Sequence, residues 1–258
     1  MFSQLAPASL FSLEGKVALI TGGAGGIASG LARGFAAAGA KLMLADRNDA
    51  VTKRADELRA AGADAAALVF DISDAAAVER ALDETVERFG RLDIVVNNAA
   101  IIVRKPFLEL SQEDWRSVID IDLTACFSVA QGAARRMVAQ GSGRIINMSS
   151  IMNHVARPNL VPYVTAKGGI AAFTRAMATD LAGTGVTVNA LAPGYTATEF
   201  SMASNKEFHD FVRDWTPCRR WGTPEDLCGP AVLLASDAGA YINGHVLYVD
   251  GGFLAATR

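Results

Sequence analysis

The sequence predicts an α/β protein: a single doubly wound Rossmann-type domain built on a seven-stranded parallel sheet with helices on both faces. Three observations lead there. Short apolar or β-branched runs alternate with longer amphipathic segments along the 258 residues. The runs are near-continuously apolar, as strands buried on both faces must be. No Pro-, Gly- or Ser-rich linker interrupts the alternation, so residues 1–258 are read as one domain.

The strand readings, in order, are KVALIT, KLMLAD, AALVFD, LDIVVNN, GRIINMSS, VTVNALAP and HVLYVD. Between them, residues 26–38, 50–61, 74–89, 111–140, 163–182 and 224–236 carry helix formers with apolar spacings of three and four. Residues 195–222 break the pattern with mixed aromatic and charged residues. In a doubly wound sheet such an insertion after a strand's carboxyl end lies over the ligand crevice, so this segment is read as a lid.

The first strand runs directly into TGGAGGIASG, where Gly22, Gly25, Gly26 and Ile27 lead into the first helix. Glycines there permit a tight turn and close approach of a pyrophosphate, and the helix N-terminus offers N–H groups to it. A glycine-rich loop alone is weak evidence, but this one has the strand-before, helix-after context that nucleotide binding requires. The second strand ends in LADRND. A carboxylate at Asp46 suits the two ribose hydroxyls of NAD and repels a 2′-phosphate, whereas Arg47 beside it would attract one. The expectation is NAD rather than NADP.

In VPYVTAKGG, Tyr163 and Lys167 are four positions apart and share a helix face. A phenol titrates at about pH 10 in water, and a neighbouring ammonium favours phenolate. The pair is therefore a candidate acid/base unit, against the plainer alternative of a packed tyrosine and a solvated lysine.

Composition excludes several other classes. The formal charge is −3 with no basic tract, which argues against nucleic acid. No apolar run reaches membrane-spanning length, and the opening MFSQLAPASLFSLEGK has no basic region ahead of an apolar one, so the expectation is a cytoplasmic protein with a short N-terminal arm, residues 1–12. Cys126, Cys218 and Cys228 lack zinc or disulfide spacing, and the three histidines form no ligand set, so no metal is expected.

Taken together, TGGAGGIA, FDIS, NNAA, NMSS, YVTAK, LAPGYTAT and YVDGG resemble the short-chain dehydrogenase/reductase family from about residue 12 to 254. The resemblance implies that Tyr163 moves the proton, that Lys167 favours its phenolate and holds the nicotinamide ribose, and that Ser150 binds the substrate oxygen. It further implies that Asp71 and Ile72 flank the adenine, that Asn97 steadies the central strand, and that Asn98, Ala99, Pro193, Gly194, Thr196 and Thr198 complete the cofactor groove. Homotetramers are the family's usual assembly. Three positions depart from its pattern: Ala28 and Ala100 replace glycines, and Asp122 replaces the asparagine whose backbone carbonyl holds a proton-relaying water. An ionised Asp122 near Lys167 would strengthen the ammonium, and a shifted geometry would break the relay.

Within the family, HVARPNLVPYVTAKGG, LAPGYTATEF and RRWGTPEDL look most like gluconate 5-dehydrogenases and related sugar-acid and polyol dehydrogenases. The resemblance implies a small hydroxyl-rich substrate. Arg104 is the first candidate for its carboxylate, with His154, Arg157, Tyr195 and Glu199 as further contacts. Alternatives are a ketoreductase for an acyl thioester or cyclic ketone, or a cofactor-binding regulator disabled at Asp122.

Overall fold

The computed structural model describes residues 6–202 and 205–256. Seven strands form one sheet: β1 (Val17–Thr21), β2 (Lys41–Asp46), β3 (Ala65–Val69), β4 (Ile94–Asn97), β5 (Gly143–Met148), β6 (Val186–Pro193) and β7 (Val246–Val249). Their order is β3-β2-β1-β4-β5-β6-β7, and every pairing is parallel. The chain moves outward from β1 to β3 and then crosses to β4, so a switch point opens between the carboxyl ends of β1 and β4, where such sheets bind ligands.

The helices are α1 (Pro7–Leu10), α2 (Gly26–Ala37), α3 (Ala50–Ala60), α4 (Ala75–Phe89), α5 (Gln112–Ile119), α6 (Ala125–Gln140), α7 (Val161–Asp180), α8 (Glu199–Met202), α9 (Lys206–Trp215) and α10 (Cys228–Ala235). Strand alternation divides the core into two layers. On one face Ile20, Leu44 and Val96 pack with Leu31 and Phe35 of α2 and Leu234 of α10. On the other, Leu19, Met43 and Val95 pack with Leu82 of α4 and Val129 and Met137 of α6. Each such fully buried side chain contributes about 1.5–3 kcal/mol of apolar burial, which makes the sheet a rigid frame for its carboxyl edge.

Two elements differ from expectation. Residues 224–236 divide into a 3-10 turn, Pro224–Leu227, and the helix α10. The stretch 111–140 is not a single α-helix: Asp120–Thr124 winds as a π-helix between α5 and α6. Ser111 caps α5 through a reciprocal box with Asp114. The π-turn inserts its extra residue where Asp122 becomes 2% exposed. Such turns recur at functional sites, and this one aims a carboxylate inward.

Candidate active site

The carboxyl edge of the sheet supplies the site. β5 ends at Met148, and Ser150 follows as the N-cap of a short 3-10 turn, Ile151–Asn153. Ser150 Oγ accepts from the Met152 N–H at 3.2 Å, so its own proton remains available to a substrate oxygen. Pro162 stands in the first turn of α7, where a missing N–H costs nothing, and Tyr163 follows it. One turn on, the Lys167 ammonium lies 5.4 Å from the Tyr163 ring centroid.

Lys167 is 3% exposed. Its ammonium donates to the Met148 carbonyl at 3.0 Å and pairs with Asp122 Oδ2 at 3.6 Å. The second distance is too long for a hydrogen bond, so Oδ2 is a buried acceptor held by charge alone. Asp122 Oδ1 accepts from the Ile101 N–H at 2.8 Å. Burial pushes the Asp122 carboxyl above the usual carboxylate range, against the lowering influence of Lys167 and the Ile101 N–H. Burial also drives the Lys167 ammonium toward neutrality, but Asp122, with Tyr163 and Cys126, outweighs it and holds the lysine above its usual range. Burial and mutual attraction thus act in opposite directions on this pair. Cys126, behind it, has its thiol pushed up to about 12 by burial and carries no reactive thiolate.

Ser150, Tyr163 and Lys167 line one cavity of about 660 Å³, a size suited to a small ligand and part of a cofactor. Arg104, Arg157 and Tyr195 line it as well. Arg157 stacks over Phe208 of α9 at 4.1 Å and lies 5.9 Å from the Tyr195 ring. Tyr195 meets Phe208, Trp221 and Phe253 edge-on at 5.3–5.9 Å, and burial raises its phenol above the ordinary range. The aromatic cluster binds the segment after β6 to the loop after Ser150, and Tyr195, Phe208 and Trp221 line this mouth of the cavity.

His154 and Glu199 stand elsewhere. His154 is exposed, its ring packed edge-on against Tyr248 of β7 at 6.5 Å, and Glu199 is exposed at the start of α8. Neither lines the cavity. The 3-10 turn after Ser150 swings His154 toward the sheet edge, and sequence spacing carries no sign of that direction.

A second cavity of about 120 Å³ is lined by Gly22, Asp46, Arg47, Asp71, Ile72 and Ala99, among others. Ala100 lines both cavities, so the two are halves of one groove across the switch point. The glycine loop fits an elongated phosphate-linked ligand. Gly22 has φ +67°, and a Cβ there would lie 2.8 Å from Asn98 Nδ2 and 2.9 Å from the Ala99 Cα. Asn98 holds the loop through Nδ2, which donates to the Thr21 carbonyl at 3.0 Å, while the Asn98 and Ala99 N–H groups donate to Thr21 Oγ1. Gly25 caps α2, and Ile27 of its first turn lines the larger cavity with Pro193, Gly194, Thr196 and Thr198. A Cβ on Gly26 would meet Thr198 Cβ at 3.2 Å, so the glycine loop and the segment after β6 touch across the groove. Asp46 Oδ2 accepts from the Ala24 N–H at 3.0 Å and Oδ1 from the Asn48 N–H at 2.9 Å, which fixes the carboxylate at the end of β2. Arg47, beside it, helps hold the Asp71 carboxyl below its usual range, after the Ser73 backbone and hydroxyl. Asn97 is buried and donates to Asn147 Oδ1 at 2.9 Å, joining β4 to β5.

Sequence reading missed the Met148 carbonyl, the Ala24 N–H and Phe208. The first two are backbone groups without a residue signature, and an aromatic on an amphipathic helix reads as packing. Among the described residues there is no cluster of side chains that could hold a metal ion, and no helix is long and apolar enough to cross a membrane.

Comparison with known proteins agrees with this geometry. A family model described as enoyl-(acyl carrier protein) reductase matches residues 22–254. The chain is 41% identical over 246 residues to the gluconate 5-dehydrogenase of Gluconobacter oxydans (strain 621H), covering 94% of this chain and 96% of that protein. It is 38% identical over 253 residues to the 5-keto-D-gluconate 5-reductase of Escherichia coli (strain K12), covering 96% and 98%. A gluconate 5-dehydrogenase from Burkholderia cenocepacia J2315, solved with NADP and tartrate, superposes with a TM-score of 0.94 at 41% identity, covering 98% of this chain and 100% of that one. With a Tyr–Lys pair and a serine at the head of a glycine-looped parallel sheet, and with these relatives along nearly its whole length, the chain belongs to the short-chain dehydrogenase/reductase family of NAD(P)-dependent oxidoreductases acting on CH–OH groups.

Proposed function

We propose that the protein interconverts a secondary hydroxyl and a ketone on a small sugar acid, of the gluconate/5-ketogluconate type, using NAD(H). The observation that carries this reading is one cavity in which Ser150, Tyr163 and Lys167 face the two cationic side chains Arg104 and Arg157. A polyhydroxylated carboxylate places its charge on an arginine fork and its reacting carbon near the phenol. The curated relatives named above act on such compounds, and the structural relative was solved with a dicarboxylate in addition to NADP. An acyl thioester or cyclic ketone would bring no carboxylate to these two cations.

The groove would hold the dinucleotide with its adenosine half against Asp46, Asp71 and Ile72, its phosphates over Gly22–Gly26, and its nicotinamide half between Ile27, Gly194 and Thr198. When bound, the nicotinamide supplies or accepts the hydride. The protein's own work is to hold the oxygen and move one proton. In the oxidative direction Ser150 holds the substrate oxygen with a hydrogen bond and keeps its own proton, and the Tyr163 phenolate takes the alcohol proton as hydride leaves the carbon. Lys167 stabilises the phenolate electrostatically and anchors the ribose. Asp122, as the lysine's buried counter-ion, keeps it protonated. The Asp46 carboxylate favours the ribose diol over a 2′-phosphate, so NAD is the preferred dinucleotide, although Arg47 and the NADP of the structural relative favour the other one. Residues 195–222 act as the lid. A homotetramer is supported by Phe127 of α6, 46% exposed beside Phe173 of α7, and by the edge strand β7, whose Tyr248 is 38% exposed.

The test is initial-rate absorbance at 340 nm across sugar acids, polyols and hydroxy esters with NAD and with NADP. Turnover of a sugar acid with NAD is expected, and Tyr163→Phe should lower kcat by about a hundredfold or more while NADH still binds. Turnover of hydroxy esters alone, or an active Tyr163→Phe enzyme, would refute the reading.

A further inference from the structure

A hydrogen-bonded chain runs behind the reacting groups. Ser149 is 4% exposed, and its hydroxyl donates to the Lys167 carbonyl at 3.1 Å while accepting from Asn153 Nδ2 at 2.8 Å. Asn153 Oδ1 accepts in turn from the Tyr248 hydroxyl at 2.6 Å. These bonds connect three separate elements: the 3-10 turn capped by Ser150, the α7 turn that holds Lys167, and the edge strand β7.

The chain has one consistent direction. The single Ser149 proton is committed to the Lys167 carbonyl, so the other contact to that hydroxyl must come from a donor. Only the amide end of Asn153 supplies one, and its orientation is set because the carbonyl end already accepts from Tyr248. A carboxylate at position 153 would compete with the Lys167 carbonyl for the Ser149 proton. Meanwhile β5 stops at Met148 and α7 begins at Val161, so the sheet ladder does not itself set the distance from Ser150 to Tyr163 and Lys167.

We propose that Asn153 is a positioning residue for the reaction. Through Ser149 it sets the spacing between the Ser150 turn and the Tyr163–Lys167 face of α7, and Tyr248 keeps its amide turned the right way. This rests on the acid/base reading above. The residue touches no reacting atom, so its loss should fall on kcat and leave dinucleotide binding alone, because misplacement of catalytic groups by fractions of an ångström is costly only in the transition state.

The experiment compares Asn153→Ala, Asn153→Asp, Ser149→Ala and the Ser149→Ala/Asn153→Ala double variant in steady-state kinetics, NADH titration and thermal melts. Asn153→Asp keeps the size of the residue and its acceptor for Tyr248 but exchanges the donor for a carboxylate, so it is informative even if the alanine variant folds poorly, and the uncharged Ser149→Ala shows how much of its effect comes from the broken chain. The kcat of Asn153→Asp should fall about tenfold or more, with the substrate KM and the NADH Kd within about twofold of native. The double variant should cost no more than the worse single one, because both break the same chain. Native kcat in Asn153→Asp, or fully additive losses in the double variant, overturns the assignment. Tyr163→Phe run alongside separates the two readings. A silent Tyr163→Phe with an undiminished Asn153→Asp removes the positioning role alone, whereas an active Tyr163→Phe removes the acid/base reading and this one with it.

Discussion

Lys167 Nζ and Asp122 Oδ2 lie 3.6 Å apart, with 4% and 0% of their side chains exposed. Two opposite charges removed from water together are tolerated because each finds other partners, the Met148 carbonyl for the ammonium and the Ile101 N–H for the carboxylate. The net charge beneath Tyr163 is therefore near zero, where an asparagine at 122 would leave it positive.

That difference has a measurable sign. Asp122→Asn keeps an oxygen for the Ile101 N–H, removes the charge and turns an amide NH2 toward the lysine in place of Oδ2. The lysine then loses its main source of elevation, and burial pulls its deprotonation to lower pH. The limb of the pH profile of kcat/KM that belongs to the lysine should therefore move downward, by on the order of one pH unit. A profile that superposes on the native one would mean that the carboxylate exerts no charge on the pair.

At the other end of the groove, Asp46 and Arg47 pull in opposite directions on a 2′-phosphate, and on the NAD preference proposed above the aspartate prevails. Its two oxygens are held by the Ala24 and Asn48 N–H groups, while Arg47 is exposed. Asp46→Asn retains an acceptor for the loop and removes the repulsion. The ratio of kcat/KM for NAD over NADP should fall about tenfold, equivalent to about 1.4 kcal/mol. Arg47→Ala should raise the same ratio by weakening NADP. A native enzyme that already prefers NADP would reverse the roles of these two neighbours.

Much of this was legible before any coordinates. The seven strands are short, mostly apolar runs, and their alternation with helical spacing leaves few topologies open. Ser150, Tyr163 and Lys167 meet because strand ends and helix starts converge at the carboxyl edge of a parallel sheet, which is a property of the fold rather than of their neighbours. The π-turn at Asp120–Thr124 was not legible, since an apolar pattern spanning 111–140 is satisfied by a continuous helix, and one extra residue in a turn leaves that pattern almost unchanged. His154 and Arg157 show the same limit. Both follow Ser150 in sequence, yet one packs on Tyr248 and the other stacks on Phe208, because the turn between them, and not the spacing, decides which way each faces.

Gly30 lies within the glycine-rich stretch but serves a different end from the loop glycines. A Cβ there would sit 2.5 Å from Pro224 Cβ and 2.8 Å from the Pro224 carbonyl carbon and oxygen. One turn later a Cβ on Gly34 would lie 2.7 Å from Cys228 Cβ, and Cys228 Sγ donates to the Gly30 carbonyl at 3.0 Å. Two glycines four apart thus form a groove on α2 into which the Pro224–Leu227 turn and the start of α10 are pressed. In an isolated helix Gly30→Ala would gain about 1 kcal/mol of propensity. Here the added methyl meets a ring and a backbone, neither able to rotate away, and overpacking of that kind typically costs about 1–3 kcal/mol. The groove should therefore win, with Tm lowered by about 2–4 °C for each kcal/mol of net loss in a chain of this size. The consequence should also reach the cofactor. Gly222, two residues before Pro224, bridges to Thr196, and Thr196 and Thr198 line the cavity, so a displaced turn shifts both threonines. Gly30→Ala should weaken NADH binding several-fold in addition to lowering Tm. An unchanged or higher Tm would show that the turn moves aside without cost, and a lowered Tm with native NADH affinity would show that the displacement stops short of Thr196.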